Sequence, residues 1–282
     1  MGRSSPESPD SPDADSGTRP RGESGSGASD LRSVASSVLL AFGVALVGFL
    51  AVVPVGFVLV NVLLATGVLS PEPSGVEITL LGLVSLQGIA FPLVASVYLR
   101  LRGLGLDFLR VRTPSLRQLG VVVGGVVAIL VLVTLSQVVV SVLGVTPAER
   151  TDQEVLTNPE FALVGIPLML LIVGPGEELL FRGVVQSTIR ETTPAPVAIV
   201  LANVAFAPAH LLAFLGAGNS LVGIVTSISL IFLPGVVFGV VYEYTDNLVV
   251  PALAHGLWNS LLLATVLLGA ATGLAVGPLV AV

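Results

Sequence analysis

From Val34 to about Ala270 this chain keeps returning to apolar runs of helix length, separated by short polar connections. A helix rises ~1.5 Å per residue, so about 20 predominantly apolar residues cross a bilayer. The runs are Val34 to Leu69, Ile78 to Leu99, Leu119 to Val145, Phe161 through Arg182, Val197 to Leu215, Leu221 to Val241, and Leu248 to about Ala270. The expected fold class is all-α, a polytopic membrane helix bundle of about seven transmembrane helices, with six or eight also compatible. The first run exceeds the length of one span, and Pro54 is expected to kink it. The apolar residues beyond Thr272 contain two glycines and a proline and read as an interfacial stub.

Composition narrows the partners. Only 11% of residues are charged, against about 25% in soluble domains, so most of the surface has to face lipid. A formal charge of -6 speaks against nucleic acid. The absence of cysteine removes disulfides, thiol nucleophiles and thiolate metal sites together. Residues 1–33 are dominated by Ser, Pro, Gly and Asp and bury too little to offset ordering entropy, so they read as a disordered polar N-terminal tail. Residues 34–282 form the transmembrane helical domain.

Arginine sets the expected orientation, since all 12 basic residues are arginine. The connection after the second run holds Arg100, Arg102, Arg110, Arg112 and Arg117 against Asp107 alone, whereas Thr146 to Glu160 holds one arginine and four acids. The positive-inside rule then places residues 100–118 and the N-terminus in the cytoplasm of a multi-pass cell-membrane protein. Gly105 to Gln118 is expected to lie on the inner surface as a short amphipathic helix.

Against this background the buried ionisable groups stand out, because charge at membrane depth is costly and marks function by default. Glu177-Glu178-x-x-x-Arg182 sits inside an apolar run, and the chain has only two histidines. His210 ends a Phe206-x-x-x-His210 spacing, and His255 opens a His255-x-x-x-Asn259 spacing. Residues four apart share a helix face, so Glu178 pairs with Arg182, which holds it ionised. Glu177 points about 100° away with no such partner, as suits a group that exchanges protons with water. A hairpin about Thr193–Pro194 brings Glu177 and His210 to one height, provided the fourth helix continues through Gln186, Ser187 and Thr188. His255 lies too shallow for that level, so either the Asp246–Asn247 turn dips into the membrane or the start of the seventh helix lies elsewhere. Singly, an ion pair glues helices and a histidine packs; jointly they supply the groups that activate water.

The three spacings in this order resemble those of the CPBP intramembrane proteases, which include CAAX prenyl endopeptidases and Abi-type bacteriocin-processing proteins. The resemblance covers about 161–263, taken as the protease-like core. It implies an endopeptidase, commonly labelled a metalloprotease, that hydrolyses a membrane-associated protein or peptide of CAAX-type prenylated or other kind. It implies catalytic roles for Glu177, His210, His255 and Asn259, with Glu178, Arg182 and Phe206 in support. Two chemistries stay open. In one, His210, His255 and Glu177 hold a zinc ion. In the other, Glu177 and His210 activate water directly and His255 with Asn259 steady the oxyanion, which the lack of an H-E-x-x-H helix favours. A proton- or solute-coupled transporter and a non-catalytic membrane scaffold are the competing readings. Substrate identity and oligomeric state are not legible.

Overall fold

The computed structural model describes Gly2, residues 26–216 and residues 218–273. Among them there is no strand, and seven helices are long and apolar enough to span a membrane. They are α1 (Asp30–Ala65), α2 (Gly75–Arg102), α3 (Leu116–Val142), α4 (Pro159–Arg190), α5 (Ala195–Phe214), α6 (Leu221–Thr245) and α7 (Val249–Thr272). The stub expected beyond Thr272 lies outside the described residues except for Gly273, as does residue 1 and all of 3–25 in the expected tail. Residues 26–33 of that tail form the start of the helix leading into α1.

Local chemistry explains where these helices break. The first helix is interrupted at Ala51, between Ser26–Leu50 and Val52–Ala65. Pro54 has no N–H to offer the carbonyl of Leu50, and its ring crowds that carbonyl. Helices α2 and α3 each start on a capping box, Ser74 with Glu77 and Ser115 with Gln118, which satisfies two otherwise orphaned N–H groups apiece.

The connection from α2 to α3 departs from expectation. Instead of an amphipathic helix over Gly105 to Gln118, it holds one 3-10 turn, Leu106–Leu109, and an extended stretch up to the Ser115 cap. Leu109 is buried while Leu106 is exposed. Arg110 takes a left-handed φ of 54° and its carbonyl accepts from Leu248 N–H at 3.1 Å. Long-range bonding to the α6–α7 turn therefore outweighs local amphipathicity.

Helix α4 is the axis of the bundle, and its second half is buried almost without interruption. Leu180, Phe181, Val185 and Ile189 pack with Ala41 and Ala45 of α1 and with Ala198, Ala202 and Phe206 of α5. On the other side, Met169 and Val173 meet Leu263 and Val266 of α7. Two π-helical stretches, Met169–Val173 and Leu179–Gln186, bracket Gly174–Glu178. Pro175 has no N–H for the carbonyl of Leu171, and the first register shift ends against it.

Three glycines set how closely the helices approach. A Cβ on Gly174 would lie 2.6 Å from the backbone N of Gly256, and one on Gly256 would lie 2.7 Å from Leu170 Cα. A Cβ on Gly176 would overlap the carbonyl of Gln87. Small residues permit this backbone contact, which drives helix association where no hydrophobic effect operates. The close approach joins α4 to both α7 and α2 beside the two glutamates.

Candidate active site

The hairpin geometry expected from counting is present. Helix α4 continues through Gln186, Ser187 and Thr188 to Arg190, α5 starts at Ala195, and Glu177 and His210 line one cavity. His255 joins them. In the Asp246–Asn247 turn Asn247 is fully buried, and its Oδ1 accepts from Arg112 N–H at 3.2 Å. The cavity measures about 220 Å³, far more than the ~10–15 Å³ one water needs. Asn259 lines it too, with no side-chain hydrogen bond among the described residues.

Glu178 and Arg182 are both fully buried and paired at 3.0 Å, four residues apart. Arg182 Nη2 also donates to Gly235 O at 2.7 Å and Asn203 Oδ1 at 3.2 Å. Its guanidinium lies over the ring of Phe206, 4.9 Å from the centroid, and near that of Phe238 at 5.6 Å. The cation is thus held by an anion, two carbonyl-type oxygens and two π faces, while its Nε and Glu178 Oε2 are buried without a hydrogen-bond partner among the described residues.

His255 connects the two glutamates. Its Nδ1 is 2.8 Å from Glu178 Oε1, and its Nε2 is 3.6 Å from Glu177 Oε2. Phe238 stacks on its ring at 4.5 Å. With Arg182 keeping Glu178 anionic, Nδ1 carries the proton and donates it; the tautomer is inferred from that network. Nε2 then presents its lone pair towards Glu177. Phe206 stands edge-on to His210 at 5.0 Å and to His255 at 6.2 Å. His210 Nδ1 is buried without a hydrogen-bond partner.

Four contributors were not foreseen. Gln87 on α2 donates Nε2–H to Glu177 Oε1 at 3.1 Å, so Glu177 has a neutral partner after all. Asn203, one turn before Phe206, orients Arg182. Arg150 and Asp152 line the cavity from the α3–α4 connection. A polar side chain inside the second apolar run was the available signal for Gln87, and Asn203 offered the same signal in the fifth. Among the described residues no three His, Asp or Glu side chains are grouped as a metal ion requires. His255 spends only Nδ1 on Glu178 and keeps Nε2 available as a ligand nitrogen; what the expected zinc set of His210, His255 and Glu177 lacks in this arrangement is convergence on one point.

Residues 159–261 match the family described as Rce1-like, type II CAAX prenyl endopeptidase. That is the family the three motifs resemble. No curated protein and no solved structure matches the chain. The Rce1-like segment spans α4 to the middle of α7, and so contains every motif residue while leaving Gln87, Arg150 and Asp152 outside. The seven apolar helices support a multi-pass membrane protein, and the segment that holds the motif residues is similar to that CAAX-type endopeptidase family.

Proposed function

We propose that the protein is an intramembrane endopeptidase in which Glu177 and His255 share the proton of the attacking water, without a metal in the step. The observation that carries this is the chain of contacts Arg182–Glu178–His255–Glu177, which ends in a cavity otherwise walled mainly by apolar side chains. A carboxylate that fixes an imidazole tautomer, leaving the other nitrogen free to accept, is a recurrent acid–base arrangement.

In the proposed cycle, water held at Glu177 gives up a proton as its oxygen attacks the scissile carbonyl. Gln87 keeps Glu177 turned to the cavity. Charge develops on the carbonyl oxygen, and Asn259 and His210, which line the same cavity, are the donors assigned to offset it. The proton held between Glu177 and His255 passes to the departing nitrogen as the C–N bond breaks, giving one carboxylic acid and one amine. His255 thus moves from the oxyanion role expected of it to the acid–base pair, because its Nδ1 is already committed to Glu178.

The substrate is a membrane protein or peptide of the CAAX type named by the family match. The lipid bilayer is the other partner, and the arginine distribution supports a cytoplasmic N-terminus. The deciding experiment compares membrane peptide fragments from cells making wild-type protein, Glu177→Gln and His255→Ala. Fragments that vanish in both variants support the reading. Identical fragment sets, with all three proteins inserted at equal levels, refute it. Glu177-dependent solute flux in proteoliposomes would instead favour a carrier.

A further inference from the structure

The cavity has a cation that the proposed chemistry does not use. Arg150 lies in the α3–α4 connection, its side chain only 15% exposed, and lines the same cavity as Glu177, His210 and Asn259. Its Nε and Nη2 each donate to Asp152, at 2.9 Å, to Oδ1 and Oδ2 respectively. The guanidinium also lies over the ring of Phe214, 5.7 Å from its centroid. Nη1 has no partner among the described residues.

The segment that carries Arg150 is fixed rather than loose. Thr151 N–H donates to Ala213 O at 2.8 Å, on the same helical stretch as His210. Glu149 is tied at both backbone groups to the side chain of Asn219, at 2.9 and 2.8 Å. Ala148 N–H donates to Ser227 Oγ at 2.9 Å. Such anchoring makes the guanidinium a preorganised donor rather than a wandering surface charge. A planar fork held by a carboxylate on two nitrogens presents its third to one further acceptor, and the best acceptor for it is another carboxylate.

We propose that Arg150 is a specificity residue that binds the carboxyl terminus of the peptide substrate. This rests on the protease reading above. A CAAX box is by definition C-terminal, so a substrate of that class brings a free carboxylate within a few residues of the bond to be cut. Arg150 would then set how far from the chain end that bond lies. Asp152, by neutralising the guanidinium overall, limits the subsite to a single carboxylate and disfavours multiply charged anions.

The test uses the full-length protein in proteoliposomes with a farnesylated CAAX peptide in three forms. These are the free acid, the C-terminal amide, and the amide with aspartate as its last residue. Wild type is expected to cleave the free acid with a KM about tenfold or more below that of the amide, as losing one charge-assisted bond implies. Arg150→Gln raises the acid's KM to the amide's, leaves kcat unchanged and does not affect the amide. Arg150→Lys, which keeps the charge and a link to Asp152, recovers part of the difference should the glutamine variant fold poorly. Equal KM for acid and amide in wild type overturns the proposal, as does an Arg150→Gln effect on both alike. If the aspartyl amide matches the free acid, the subsite reads a side-chain carboxylate and the terminal assignment is wrong. No Glu177-dependent cleavage of any form is a separate outcome, which removes the protease reading and the subsite with it.

Discussion

His255 Nδ1 and Glu178 Oε1 lie 2.8 Å apart, although the residues are 77 positions apart in the chain. The contact turns an ion pair internal to α4 into the support for an imidazole on α7. It also separates the two glutamates by role: Glu178 orients, and Glu177 faces the cavity. Glu178→Gln is expected to keep the shape but lose the fixed tautomer, lowering kcat by about 10- to 100-fold with little change in KM. Steady-state kinetics on purified protein check this, and an unchanged kcat would remove the orienting role.

Glu177→Gln should behave differently. The amide preserves volume and can still bond Gln87, whose Nε2 is 3.1 Å from Glu177 Oε1. Insertion and melting temperature are expected to stay near wild type while kcat falls about 10²- to 10⁴-fold. Gln87→Ala should give a smaller kcat loss, because Glu177 keeps its chemistry and loses only its aim. A Gln87→Ala variant as inactive as Glu177→Gln would assign Gln87 a direct part instead.

Arg182 carries the largest structural burden. Arg182→Met leaves Glu178 charged and buried without its partner, a loss of about 3–5 kcal/mol. Arg182→Lys is not expected to restore it, since one ammonium cannot reach Glu178, Asn203 and Gly235 in the geometry the guanidinium fork uses. Thermal unfolding in detergent, run on both variants, reads the difference.

Backbone contact between α4 and α7 gives a further test. Gly174→Ala places a methyl group 2.6 Å from the backbone N of Gly256, where neither helix can yield cheaply, and should destabilise by about 1–3 kcal/mol. Gly124→Ala on α3 meets nothing within 4 Å and should be neutral or slightly stabilising. A melting midpoint unchanged in the first variant would mean that the helices are not in contact.

Orientation can be read cleanly because the chain has no cysteine. With a cytoplasmic N-terminus, Glu149→Cys on the α3–α4 connection is labelled in intact cells by a membrane-impermeant maleimide, and Asp107→Cys only after lysis. The reverse pattern would put the Arg150 end of the cavity on the cytoplasmic side, together with its route of substrate entry.

The sequence by itself determined a bilayer-facing composition, a bundle of about seven spans and the pairing of Glu178 with Arg182. Each follows from hydropathy or from helical period, which are properties of one segment at a time. The level match of Glu177 with His210 also came through, since a short turn between two helices leaves little freedom. The tertiary structure alone decided that His255 contacts Glu178 as well as Glu177, and that Gln87, Asn203, Arg150 and Asp152 join the group. Spacing fixes which residues share a face but not how that face is rotated towards another helix. Here that rotation is set by the approach of Gly174 to Gly256 and Gly176 to Gln87, contacts between distant segments that leave no periodic trace in any one of them.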